Sequence, residues 1–227
     1  MSQKVLVVLT SVEKYPNLDR ATGLWLGEAV HFVKKLEDAG YDVDYVSPKG
    51  GYTPIDPHSL AMAEPIDWEW YQKKDFMNRL GATLTPSDVN PDEYMAIYYA
   101  GGHGVIWDFP DNEALQAISR NIYEQGGFVT SVCHGAAGLL NIQLSSGSLL
   151  IKDKVVTGFS NEEEKLAELD QFVPFLTETE LVARGAIYKK ADQPWVAFAV
   201  EDQRVITGQN PASGGAVADL LLAALQS

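Results

Sequence analysis

The spacing of apolar positions changes repeatedly along the 227-residue chain, and each change marks a change of element. Residues 4–9, Lys4-Val5-Leu6-Val7-Val8-Leu9, form a short, nearly unbroken apolar run, the pattern of a buried strand. A polar loop follows over 10–23, with Tyr15, Pro16, Asp19 and Gly23. Over 24–39 the apolar positions become Trp25, Ala29, Phe32, Val33 and Leu36, one stripe of a helix that Gly40 stops. Residues 41–46 alternate as a second strand. A third, 94–100, runs into Gly101-Gly102-His103-Gly104. A helix over 114–125 ends at Gly126-Gly127, and the next strand runs to Val132. The rhythm then loosens. A strand over 155–159, an acidic helix from Asn161, a helix over 177–183, short strands at 196–200 and 204–207, and a last helix over 212–225 complete the chain.

Strands alternating with helices across short, glycine-marked turns predict an α/β fold, a mostly parallel sheet sandwiched by helices. In open sheets of this kind, sites form at the carboxyl ends of strands, where both Gly101–Gly104 and Cys133 fall. Residues 48–92 are too long for a simple connection, carry Pro54, Pro57 and Pro65, and predict a helix over 68–80. The reading is one domain, 1–227, with a cap inserted at about 48–92.

Composition adds exclusions. Hydrophobic residues make up 46% and charged residues 21%, ordinary for a globular protein with a sizeable core. Seventeen basic against thirty-one acidic residues give a net charge of −14, which repels nucleic acid and anionic membranes and otherwise reads as a solubility trait. The N-terminal residues carry no signal-peptide pattern, no Asn-x-Ser/Thr acceptor occurs, and no apolar stretch approaches a membrane span. One cysteine cannot form an internal disulfide, so a reducing cytoplasm is the expected compartment.

That cysteine is the main chemical signal. In Phe128-Val129-Thr130-Ser131-Val132-Cys133-His134-Gly135-Ala136-Ala137-Gly138, a β-branched run gives way at the sulfur to small residues, as where a strand turns into a helix. Amides at a helix start favour a thiolate, the nucleophilic form. Ser131 stands where a Gly-x-Ser-x-Gly elbow has its first glycine, so the motif differs although the geometry is analogous. His134 follows directly, but helical neighbours do not face one another, so its contact with the sulfur stays open. Glu28 lies at the margin of the apolar stripe of its helix, where partial desolvation raises a carboxyl pKa toward proton-shuttle range. The Gly101–Gly104 turn offers bare amides to an oxyanion. Glu162-Glu163-Glu164 suit a helix start, and one of them could orient His134. Residue spacing does not say which. No phosphate-binding glycine loop or His-Glu-x-x-His occurs. His31 and His58 read as surface or loop residues, and the five tryptophans as core and cap packing.

Together these segments resemble the ThiJ/PfpI superfamily, with its flavodoxin-like, class I glutamine amidotransferase-like fold, and within it the heat-shock-type glutathione-independent glyoxalases. The likeness rests on Lys4–Ser11, Thr22-Gly23 through Glu28-Ala29, Asp42–Pro48, Asp56-Pro57-His58-Ser59-Leu60, Ala100–Gly104, Val132–Gly135, Val156–Glu164 and Ile206–Ser213, which span almost the whole chain in one order. It implies Cys133 as nucleophile, Glu28 as the glutamate bonded to the thiol, and His134 as the triad histidine. Glu164 would be its acid, with Glu163 as fallback, and Gly102, His103 and the His134 amide would serve as oxyanion or substrate contacts. A His-His-Glu metal set of some longer members has no match here, so no metal and no cofactor are expected. The implied activity is conversion of methylglyoxal, a small-molecule 2-oxoaldehyde, to lactate through a cysteine hemithioacetal. A stress-related holding chaperone or redox sensor, or a cysteine peptidase or amidase, are the alternatives on this scaffold. A homodimer is the expected assembly, since dimers are common in the superfamily.

Overall fold

In a computed structural model, residues 4–226 are described, and their central feature is a six-stranded sheet ordered β2-β1-β3-β4-β8-β7. Its strands are β1 (Lys4–Val8), β2 (Asp42–Val46), β3 (Tyr94–Tyr99), β4 (Phe128–Val132), β8 (Val205–Gly208) and β7 (Ala199–Asp202). All neighbours run parallel except β7, which pairs antiparallel with β8 at the edge. The α/β expectation of a mostly parallel sheet covered by helices is met. The chain leaves β1 outward to β2, then returns to β3 on the other side of β1. The site lies at the carboxyl ends beside that reversal, where loops diverge and leave a crevice.

Strand alternation divides the core. Val5, Val7, Tyr98 and Val132 face helices α1 (Leu26–Asp38) and α9 (Gly214–Leu225). Leu6, Val8, Ile97 and Tyr99 face the side covered by α5 (Val105–Asp108) and α6 (Glu113–Glu124). One contact anchors α1 to the sheet. The fully buried Tyr98 ring stacks on Phe32, with centroids 3.6 Å apart, and its hydroxyl donates to the Glu28 carbonyl at 2.8 Å.

Several elements differ from the sequence reading for physical reasons. The helix expected over 68–80 is two helices, α3 (Pro65–Tyr71) and α4 (Lys74–Leu80), preceded by the short α2 (Pro57–Ala61). Trp70 and Phe76 pack edge-on at 5.1 Å and are both buried. Residues six apart on one straight helix would point about 240° apart, so the chain breaks at an extended Lys73 to bring both inward. The segment after Cys133 is a wholly buried 3₁₀ helix, Cys133–Leu139, rather than an α-helix. The strand expected over 155–159 shrinks to β5 (Val155–Val156), which pairs in a separate two-stranded sheet with β6 (Ile187–Tyr188), an element the pattern did not announce. The acidic helix α7 spans Asn161–Leu166, and α8 spans Thr177–Ala183. No helix among the described residues is long and apolar enough to cross a membrane.

If Tyr98 is the anchor, Tyr98→Phe, which keeps the stack and loses the hydrogen bond, costs about 1 kcal/mol. Tyr98→Ala costs about 4 kcal/mol. Urea unfolding of both variants checks the gap, and equal costs would show that the stacked ring contributes little.

Candidate active site

Cys133 stands at the bend the sequence implied. Val132 is still extended, and Cys133 then takes φ = 57°, left-handed backbone that a side chain rarely adopts. Such a residue holds about 1–3 kcal/mol of strain. The bend has a chemical result. Because Cys133 opens that helix with left-handed backbone, its side chain does not diverge from that of its neighbour as on a regular helix, and His134 Nδ1 lies 3.4 Å from Sγ. The contact that helical spacing left open is made.

The other ring nitrogen, His134 Nε2, meets Glu164 Oε2 at 2.6 Å, and His103 Nε2 meets Oε1 of the same carboxylate at 2.7 Å. With both Nε2 hydrogens given to Glu164, His134 Nδ1 is left as an acceptor facing the sulfur. The three adjacent glutamates divide cleanly. Glu162 is exposed and pairs with Lys190 at 3.0 Å. Glu163 closes a capping box with Ser160 and accepts from Asn210 Nδ2 and the Trp195 N–H, both at 2.9 Å. Glu164 alone of the three reaches His134. Its burial opposes ionisation, yet the two imidazoles hold its carboxyl well below the usual carboxylate range. Burial, then the neighbouring His134 ring 4.1 Å away, push His103 downward. The ring of His103 is thus spent on Glu164, although it also borders the cavity.

His103, His134 and Glu164 also form a possible metal-ligating set, with donor atoms within 4.8 Å of one another. The linear sequence hid this grouping. Here the three satisfy each other at hydrogen-bond length.

Glu28 approaches from α1. Its Oε2 accepts the Gly101 N–H at 2.7 Å. Gly101 separates it from the cysteine so tightly that a Cβ there would lie 2.5 Å from Glu28 Oε2 and 3.0 Å from Cys133 Cβ. Among the described residues, Glu28 Oε1 has no conventional hydrogen-bond partner, and the carboxyl is coupled to the thiol. Burial lifts the carboxyl to about 8, with the thiol and the Gly101 amide pulling the other way. Burial also drives the Cys133 thiol well above its ordinary value, reinforced by Glu28 and opposed by the His134 backbone N–H. This corrects the expectation that the helix start alone yields a thiolate. One amide does not offset full burial beside a carboxyl, so the pair holds its protons near neutrality. Next to it, Gly102 at φ = 105° turns the chain, and its N–H has no acceptor among the described residues.

These groups open onto a cavity of about 460 Å³. Its walls include Trp25, His31, His58, Met62, Phe159 and Trp195, so two histidines expected on the surface or in loops, and two tryptophans expected only to pack, border the site. His31 stands one helical turn beyond Glu28 and meets buried Asp67 at 3.0 Å. That i, i+3 spacing was the available signal.

Residues 22–224 match the DJ-1/PfpI family. The chain is 35% identical to the glutathione-independent glyoxalase HSP31 of Saccharomyces cerevisiae, over 99% of each chain. Among solved structures it is similar to the Rapid Encystment Protein 24 kDa of Francisella tularensis, with 39% identity, TM-score 0.94 and 99% of each chain covered. It is also similar to glyoxalase III of Candida albicans, with 31% identity, TM-score 0.89, 97% of this chain and 96% of the other.

The Glu28 carboxyl carries a stability signature. Its ordinary value is 4.5 and its folded value about 8. Between them the folded protein keeps a proton that the unfolded chain releases, so this group lowers stability as pH rises through that window. Glu28→Gln removes the titration. The variant is expected to exceed wild type at pH 8 by on the order of 4 kcal/mol, with the gap closing toward pH 4.5. Asp108, also lifted by burial to about 7, slopes the same way in both proteins and cancels. Denaturant unfolding across pH tests this, and parallel profiles would contradict it.

Proposed function

Since the chain belongs to the DJ-1/PfpI family, we propose that Cys133, Glu28, His134 and Glu164 are the working parts of a glutathione-independent glyoxalase. The enzyme converts methylglyoxal and related 2-oxoaldehydes to the 2-hydroxy acid, lactate in the case of methylglyoxal, without a cofactor. The observation that carries the site assignment is the placement of Cys133 Sγ between a buried carboxyl and a histidine whose free nitrogen faces it, at the edge of one cavity.

The Cys133 sulfur adds to the aldehyde carbon, and its proton passes to His134 Nδ1 while Glu164 steadies the imidazolium. The Gly102 N–H supports the oxyanion, which then takes the proton back from His134 to give the hemithioacetal. Glu28, as carboxylate, removes the hydrogen from the former aldehyde carbon and returns it to the adjacent carbon through an enediol. The hydroxyl proton of the first carbon moves to the second oxygen, leaving a 2-hydroxyacyl thioester on Cys133. Water cleaves the thioester, frees the acid and restores the thiol. Glu28 suits this transfer because its pKa lies near the working pH rather than far below it.

We read residues 1–227 as one domain in which 48–92 is the cap. The positions of His58, Met62 and Glu64 on the cavity wall support this. A single reduced thiol fits work in the cytoplasm, and a homodimer is the proposed assembly.

Lactate release from methylglyoxal is expected to fall at least about a thousandfold in Cys133→Ala and in Glu28→Gln, and about a hundredfold in Glu164→Gln. Full-rate consumption by Cys133→Ala would sink the assignment. In wild type, kcat/KM should rise from pH 6 to pH 9 as Glu28, with its value of about 8, becomes the base. A flat profile would remove Glu28 from that role.

A further inference from the structure

The cavity is far larger than a three-carbon aldehyde needs, and the part of its wall contributed by the loop after β1 carries a cation. Residues Lys14 and Ala21 pair antiparallel, and the Tyr15 N–H donates to the Arg20 carbonyl at 3.1 Å, so a small hairpin presents Arg20 to the cavity. Arg20 is half-buried. Among the described residues, no carboxylate lies within ion-pair distance of its guanidinium. Its partners are His58 Nδ1, 3.4 Å from Nη2, and the Tyr15 ring, 5.8 Å away. An uncompensated guanidinium is unusual in a chain of net charge −14.

The two neighbouring buried aspartates are occupied. Asp56 accepts from Thr22 Oγ1 at 3.0 Å and from the His58 N–H at 2.8 Å. Asp67 is held by His31, and Glu64 lies with it at the start of α3, which also borders the cavity. Because Arg20 donates to His58 Nδ1, the His58 ring carries its hydrogen on Nε2 and is itself a donor, held edge-on to Trp25 at 5.6 Å. Arg20 and His58 are thus two donors with one net positive charge. The Tyr15 ring stands between Arg20 and His103, 5.8 Å from each.

The geometry points to an anion subsite formed by Arg20 and His58, which selects 2-oxoaldehydes bearing a carboxylate a few atoms from the reacting carbonyl. This rests on the glyoxalase reading and extends it from the reacting end of the substrate to the other end. The chemistry is unchanged. The thiol adds to the aldehyde, hydrogen moves between the two carbons, and water releases a 2-hydroxy diacid, with no external oxidant or reductant.

The test compares 4,5-dioxopentanoate, whose product is 2-hydroxyglutarate, with its uncharged methyl ester and with methylglyoxal. Wild type is expected to favour the acid over the ester by about tenfold in kcat/KM, as a charge-assisted hydrogen bond would give. Arg20→Met should bring that ratio to within about twofold, and Arg20→Lys should keep most of it. Independently of any variant, glutarate should compete with methylglyoxal on the wild-type enzyme, and uncharged glutaramide should not. Turnover of methylglyoxal with equal rates for acid and ester, or equal competition by glutarate and glutaramide, overturns the subsite alone. Failure to turn over any of the three aldehydes overturns the glyoxalase reading beneath it. If Arg20→Met does not fold, the wild-type ratio and the competition decide.

Discussion

The site is organised by the burial of one carboxyl beside one sulfur. Neither Glu28 nor Cys133 would choose that environment alone, since each carries its charge poorly out of water. Their position is imposed by elements that have little freedom. Tyr98 clamps α1 by its ring and hydroxyl, the Gly101 amide fixes one carboxylate oxygen, and the left-handed turn at Cys133 aims the sulfur. Packing free energy from the core therefore sets a protonation state at the sheet's carboxyl edge. A proton held in this manner is poised to move once a substrate alkylates the sulfur.

A second layer is electrostatic. Glu164 is an ionised acid in a buried place, and it is tolerable there because two imidazoles donate to it at once. The sharing also fixes the tautomer of His134, and so which nitrogen faces the thiol. Glu163, one residue earlier, is equally buried but has one oxygen on Ser160 and the other on Trp195 and Asn210, holding the start of α7 in place. Two adjacent glutamates of identical chemistry thus take on separate tasks, one architectural and one directed at the reacting centre.

How much of this was readable in advance follows from which interactions are local. The strand–turn pattern around Val132-Cys133-His134 is written in consecutive residues, and so is the α1 stripe that places Glu28 at its border. The parallel sheet follows from their alternation with other elements. What could not be read depends on contacts across many residues. The break between α3 and α4 exists because Trp70 and Phe76 share one pocket, and a periodicity scan sees only two adjoining helical stretches. His103 meeting Glu164, 61 residues away, leaves no periodic trace. His31 and His58 read as surface or loop residues because each is unremarkable beside its neighbours in sequence. Their importance appears only when the 48–92 segment folds over the strand ends. The thiol's protonation is not legible for a related reason, since the helix start in the sequence shows the nearby amide but not the surrounding apolar packing.

The Ser160–Glu163 box has an implication for the chain's tolerance of length changes. Through the Glu163 bonds to Trp195 and Asn210, the box residue fixes the rotational phase of α7 about its own axis. One residue added between Glu163 and Glu164 would carry the following side chains around by roughly 100° relative to those anchors. Glu164 would swing away from both imidazoles while the helix itself stayed intact. The direct succession of Glu163 and Glu164 is therefore an angular calibration, and insertions are better accommodated in the exposed turn at 145–148, where no such alignment is at stake.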